Sequence, residues 1–212
     1  MSSCRPPRRS AVRRLAPLLV VAVALTSCGD TSHRYIANKG ENVYVRVPAG
    51  WDDIAYGADE PDALEQMTSD VTLLWRSAAG PGDDAGTGSP LLTTAVYELS
   101  GTLNQRMSPT LARVAASPTG FDPILPADDA SAALVEVLDY VPLDFDQMSG
   151  TRTVFRARSA ADAEWSQVFS MSTAFDLSRF RLYVLIVGCS PACFEANDAA
   201  ISSAASSWLV TQ

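Results

Sequence analysis

Histidine and lysine are nearly missing from this chain of 212 residues, in which His33 and Lys39 are the sole examples. Their scarcity argues against most hydrolytic chemistry, because a serine or cysteine nucleophile needs a base held beside it to take its proton. Neither Gly-x-Ser-x-Gly nor Ser-x-x-Lys occurs. A long apolar run is also missing: the longest, residues 15–25, holds Pro17, whereas a membrane-spanning helix needs about 20 apolar residues. The glycine-rich stretch 80–88 lacks the Gly-Lys-Ser/Thr ending that cradles phosphates, and Asp83 and Asp84 lack the spacing of a calcium loop. No metal or cofactor is expected.

What is present begins at the first residues. Arg5, Arg8, Arg9, Arg13 and Arg14 form a cationic head without an acid, followed by the short apolar run and then Thr26, Ser27 and Cys28. That is the layout of a signal peptide. Leu25-Thr26-Ser27-Cys28 resembles the bacterial lipobox, in which the cysteine thiol is diacylglycerylated and the chain is cut just before it. Two acyl chains would hold a protein stably on a membrane, each buried methylene contributing about 0.8 kcal/mol. The expected organisation is a leader over 1–27, a tether over 28–41 and one domain over 42–212. The expected location is the extracytoplasmic face of the cell membrane, with the lipid on Cys28 as the attachment. The paired arginines leave Sec and twin-arginine export both open.

Loss of residues 1–27 leaves eleven basic side chains against twenty-four acidic ones, a formal charge of −13. Nucleic acid requires a basic footprint, so it is not an expected partner. Arginine outnumbers lysine fifteen to one, a composition that points to a GC-rich, actinobacterial genome. With Cys4 in the leader and Cys28 lipidated, Cys189 and Cys193 remain. Outside the cytoplasm such a close pair is expected to form a disulfide. A redox motif would have two intervening residues rather than three, and zinc would need further ligands.

Val43, Val45 and Val47 alternate with Tyr44 and Arg46, the period of a half-buried strand, and Pro48-Ala49-Gly50 turns the chain into Trp51. A hairpin is expected there, with a short helix over 59–69 and strands over 71–77 and 91–99. Ser108-Pro109 fits a helix cap followed by proline at the first helical position. Residues 133–140, 151–158, 164–173 and 181–188 read as strands. The last is apolar on both faces and so central. Ser190-Pro191 begins a closing amphipathic helix with Phe194, Ile201, Ala204, Ala205 and Trp208 on one face. This is an α+β order, an antiparallel sheet covered by helices.

Val45-Arg46-Val47-Pro48-Ala49-Gly50-Trp51-Asp52 resembles the hairpin of PsbP-like domains, and of the LpqN group of actinobacterial lipoproteins in particular. Gly120-Phe121-Asp122-Pro123, Gly150-Thr151-Arg152 and Tyr183-Val184-Leu185 follow in the order that group would place similar segments. The resemblance implies a PsbP-like α/β/α sandwich. It also implies a non-enzymatic binding or assembly role with lipid or protein ligands of the envelope. It brings no catalytic residues.

Three groups of side chains remain as candidates. Arg152, Arg156 and Arg158 share one face of a strand, where they would contact an anion or partner, or pair with Glu136, Glu98 or Glu164 on neighbouring strands. Trp51, Tyr56, Trp75, Tyr97, Phe155, Trp165, Phe169 and Tyr183 would fill the core or line an acyl cavity. The carboxylate pairs Asp52/Asp53, Asp128/Asp129 and Asp144/Asp146 are the one route to acid-base catalysis. The leading expectation is a non-enzymatic module that recognises an envelope protein, and the alternative is a lipid or glycolipid carrier. A continuous apolar cavity would favour the carrier, a flat apolar patch the module, and two carboxylates converging in a cleft an enzyme.

Overall fold

The computed structural model describes residues 32–55, 64, 68–82, 85–86, 88–145, 148–176, 178 and 180–210. The leader, Cys28 and most of the helix expected over 59–69 lie outside them, as do parts of the glycine-rich stretch.

The alternating valines form a strand, but its hairpin partner precedes it. Strand β1 (His33–Asn38) pairs antiparallel with β2 (Val43–Pro48), His33 opposite Pro48 and Asn38 opposite Val43. The turn between them is held by Asn38 Oδ1, which accepts from the backbone N–H of Gly40 at 2.8 Å and of Glu41 at 3.1 Å. β1 thus lies inside the segment 28–41 expected as a tether, and Pro48-Ala49-Gly50 is not a hairpin turn. It is a switch between sheets, because Asp52–Asp53 (β3) pairs with the end of β4 (Val71–Gly80). The misreading has a plain cause: β1 buries only Ile36, so it carries no alternation to read. Arg34 ties hairpin to switch, donating through Nε to the Trp51 carbonyl at 2.7 Å and through Nη2 to Asp53 at 2.8 Å.

The main sheet has seven strands in the order β3-β4-β5-β9-β8-β7-β6, every pairing antiparallel. Its further members are β5 (Leu91–Leu99), β6 (Val135–Phe145), β7 (Met148–Ala157), β8 (Gln167–Asp176) and β9 (Arg181–Cys189). As its two-sided apolar pattern implies, β9 is the central strand, with Leu182, Tyr183, Val184 and Leu185 all buried. One edge is the two-residue β3. The other is β6, blunted by a bulge at Leu138 and by Pro142, devices that hinder edge-to-edge aggregation.

Alternation along the strands divides the sheet into two buried faces. On one, Leu92, Val96, Tyr183, Leu185 and Val187 pack against Val43, Val45 and Val47 of the small sheet and against Ile201, Ala204 and Trp208. On the other, Ala95, Tyr97, Phe175, Leu182 and Val184 pack beneath α1 (Gly101–Arg106) and α2 (Pro109–Ala116). Ser108 caps α2 as expected, its hydroxyl accepting from Leu111 N–H at 3.2 Å. A single turn, α3 (Asp129–Ala132), leads into β6.

The closing segment is two helices and a strand rather than one helix. Ser190 caps α4 (Pro191–Ala196), and α5 (Asp198–Ser207) follows after a break at Asn197. Asn197 donates through Nδ2 to the Cys193 carbonyl at 2.8 Å, the side-chain competition that makes asparagine a poor helix-interior residue. Four of the five residues expected on the inward face, Ile201, Ala204, Ala205 and Trp208, are buried, while Phe194, before the break, is half-buried. Trp208 sits just past the end of α5, and Leu209–Val210 (β10) pairs with β2 on the side away from β1.

Cys189 and Cys193 form a disulfide, their Cα atoms 5.9 Å apart, joining the end of β9 to the first turn of α4. Unfolded, unreduced protein should show no titratable thiol from this pair, and two would contradict the bridge. For so short a loop the chain-entropy contribution is about 2 kcal/mol, so reduction should lower the melting temperature modestly without unfolding the domain.

Candidate functional site

Helix α5 lies across the main sheet with Ile201, Ala204 and Ala205 turned inward, which leaves Ser202 and Ser206 exposed and Ser203 half-buried. On β7 the odd positions Thr151, Thr153, Phe155 and Ala157 are buried, so Arg152, Val154 and Arg156 share the opposite face. Between that face and α5 runs a groove of about 610 Å³, walled by Arg46, Asp139, Arg152, Val154, Ser170, Phe194 and the outer residues of α5. Arg46 reaches it from β2, where the alternation that buries Val45 and Val47 leaves Arg46 on the other side. Around Arg46 and Ser206 a second depression of about 530 Å³ continues to Tyr35, Tyr44 and Leu209. Tyr35 is 65% exposed.

The two groove arginines are under-used. Arg46 donates through Nη2 to Ser203 Oγ at 3.0 Å, but its Nε is buried and has no partner. Arg152 stands opposite Val141 and Ser172 in the strand pairing and has no side-chain partner among the described residues. Its two companions in the row are spent elsewhere. Arg156 pairs with Glu136 at 2.6 Å, and Arg156 and Arg158 each lie 4.5 Å from the centre of the Trp165 ring. Arg158 also donates to the carbonyls of Ala133 at 2.8 Å and Ala163 at 3.4 Å. Glu98 pairs with Arg181 instead, at 2.8 Å. The row therefore splits into two arginines that fasten the loop after β7 and one that faces the groove.

The described members of the carboxylate pairs stand on separate elements, at β3, at the start of α3 and on β6. Asp52 and Asp53 are exposed, and Asp53 is held by Arg34. Asp128 caps α3; the backbone N–H of Ser131, and then its hydroxyl, hold its carboxyl below the ordinary aspartate value. Asp144 is exposed on β6, and Asp146 lies outside the described residues. The two acids that do share a groove, Asp139 and Asp198, are far apart in the chain and carry no pairing signal. Among the described residues no three His, Cys, Asp or Glu side chains gather as a metal site. No described helix is long and apolar enough to cross a membrane.

On the opposite face of the sheet lies a wholly apolar cavity of about 90 Å³, walled by residues such as Leu99, Met107, Leu111 and Leu182. Sites for small molecules occupy roughly 300–1,000 Å³, so it is too small for an acyl chain. Of the aromatic candidates, Trp51, Tyr97, Phe155 and Tyr183 are buried core, Trp75, Trp165 and Phe169 are half-buried, and Tyr56 lies outside the described residues. None of the described ones lines the cavity or the groove.

No known family model and no curated protein matches this sequence. Solved structures do match its fold. Cyanobacterial PsbP (CyanoP) from Synechocystis sp. PCC 6803 superposes with a TM-score of 0.54 at 15% identity, covering 88% of this chain and 99% of that one. LpqN, involved in cell envelope biogenesis of Mycobacterium tuberculosis, gives 0.48 at 10% identity over 85% and 91% of the two chains. The Ran-binding protein Mog1p of Saccharomyces cerevisiae gives 0.46 at 10% identity over 84% and 95%. The first likeness establishes a PsbP-like α+β fold. Identities this low speak to architecture and not to ligand.

Proposed function

We propose that this chain is an exported lipoprotein, anchored through Cys28 at the extracytoplasmic face of the cell membrane, whose domain binds a ligand or partner of the envelope without catalysing a reaction. The address is supported by the cationic head, the short apolar run and Leu25-Thr26-Ser27-Cys28, and by a disulfide suited to an oxidising compartment. β1 begins five residues after Cys28. Even fully extended, such a link spans at most about 18 Å, which would keep the domain against the bilayer.

The observation that carries the binding role is the groove beside α5. It is of ligand size, and it holds two half-buried guanidinium groups, Arg46 and Arg152, that no described carboxylate engages. A carrier enclosing an acyl chain is the weaker reading, because the apolar pocket beneath α1 and α2 among the described residues is several-fold too small.

Two measurements test the proposal. Cys28→Ala should leave an unprocessed or soluble precursor. A variant that still fractionates with membranes at its mature mass would refute the anchor. Ser202→Trp places a large ring in the groove from an exposed position. It should remove molecules that co-purify with the wild-type protein in native mass spectrometry while leaving the melting temperature unchanged. The same co-purifying set on both proteins would refute the groove as the binding site.

A further inference from the structure

We infer that the groove is a phosphate site, in which Arg46 and Arg152 receive the phosphate of a ligand whose remainder lies along Val154 and Phe194. The inference rests on the groove being the binding site and goes further by naming the chemistry it takes.

Most other described arginines have partners of their own; Arg76 is engaged and Arg106 is exposed. Arg34, Arg113, Arg156 and Arg181 each hold a carboxylate within 3.2 Å. Arg158 is spent on backbone carbonyls and the Trp165 ring. Arg46 and Arg152 are half-buried yet hold no carboxylate, although Asp139 and Asp198 line the same groove. A half-buried guanidinium whose N–H groups lack acceptors carries a desolvation cost. Arg46 has one neutral acceptor, Ser203, and an unpartnered Nε, while Arg152 has no side-chain partner among the described residues; together in one concavity they indicate an acceptor supplied from outside.

The number of donors favours phosphate over carboxylate. Arg46 and Arg152 each present a planar fork suited to paired oxygens, and the hydroxyls of Ser170 and Ser203 line the same walls, whereas those of Ser202 and Ser206 donate to Asp198 Oδ1 at 3.5 Å and to the Ser203 carbonyl at 3.2 Å. A carboxylate has two oxygens to share among them, whereas a phosphate ester offers three strong acceptors. Phosphate could arrive free, as a small ester, or on a lipid headgroup at the membrane surface. Asp139 and Asp198 would oppose any of these by like charge, limiting affinity and selecting ligands that repay the cost through apolar contact.

The mature-length domain, with Cys28 replaced, is titrated with inorganic phosphate and with glycerol 3-phosphate, following backbone amide shifts. It is also sedimented with vesicles of phosphatidylglycerol and of phosphatidylcholine. Wild type should bind a phosphate probe, and Arg152→Gln should weaken binding at least tenfold with an unchanged melting temperature. Asp139→Asn should tighten it several-fold, a gain that a purely structural role for the groove would not produce. Binding to the soluble probes assigns a small phosphorylated ligand, while sedimentation with phosphatidylglycerol vesicles alone assigns a headgroup. Failure of all probes, or binding that Arg152→Gln and Arg46→Gln both leave intact, overturns the inference. If Ser202→Trp still strips co-purifying molecules in that event, the groove remains the binding site and only its chemistry has been misread.

Discussion

Asp122→Ala should lower the stability of the domain by about 3 to 5 kcal/mol, the range measured when one partner of a buried ion pair is removed and the other is left uncompensated. Arg113 and Asp122 are 3% and 2% exposed, and they meet in two parallel bonds, Nε to Oδ1 at 2.8 Å and Nη2 to Oδ2 at 2.7 Å. Neither has water to fall back on. Arg113 also reaches Thr110 Oγ1 at 3.2 Å and stacks near Tyr140, 5.8 Å from its ring centre. Asp122 Oδ1 accepts a further bond from Ile124 N–H at 2.9 Å.

The pair bolts the irregular segment after α2 to the helix, and α2 packs over Phe155 and Met171 through Ala116. Equilibrium denaturation reads the loss directly. Replacing both partners with apolar residues, Arg113→Met with Asp122→Leu, should recover most of it, because the desolvation cost vanishes with the charges. A loss below about 1 kcal/mol for Asp122→Ala would mean that the pair behaves as an exposed one.

That pair also marks where sequence reasoning stops. Gly120-Phe121-Asp122-Pro123 is recognisable as a segment shared with PsbP-like domains, yet nothing in it says that the aspartate is buried or that Arg113 is its partner. Elements with a strong local period are legible: β2, β7 and β9 announce themselves by alternation or by a two-sided apolar run, and Ser108-Pro109 and Ser190-Pro191 mark α2 and α4. β1 was not legible, because one inward isoleucine makes no pattern and its pairing with β2 supplies the order. The break at Asn197 is hidden for the opposite reason, since the seven-residue spacing of Phe194, Ile201 and Trp208 runs straight through it.

The groove is the least legible feature of all. Arg152 was visible only as one of a row of three, and the tertiary structure removes the other two by giving them Glu136 and Trp165. Arg46 reads as the polar half of a strand alternation. Its place beside Ser203 depends on α5 crossing the sheet, and Ser207 helps fix that crossing by accepting from Arg46 N–H at 2.9 Å. The one local hint is the cluster Ser202, Ser203, Ser206 and Ser207, a set of weak helix formers on the side of α5 that the core does not use.

Trp208→Ala should cost about 3 to 5 kcal/mol, as large-to-small changes in a core do, and lower the melting temperature by about 6 to 20 °C for a domain of this size. The ring is 6% exposed and belongs to the same cluster as Val43, Val45, Tyr183 and Ile201. It stands between α5 and β10, so its removal should loosen both the helix that walls the groove and the short strand that edges the small sheet. A ring offered to a partner would behave differently: truncation would spare folding and abolish association. The indole Nε1 is buried without a partner, and an unmade bond of that kind carries a penalty. Trp208→Phe keeps most of the buried ring and removes the unpartnered donor, so it should cost far less than alanine. Thermal melts of the three proteins decide the matter, and an unchanged midpoint for Trp208→Ala would move this side chain from the core to the interaction surface.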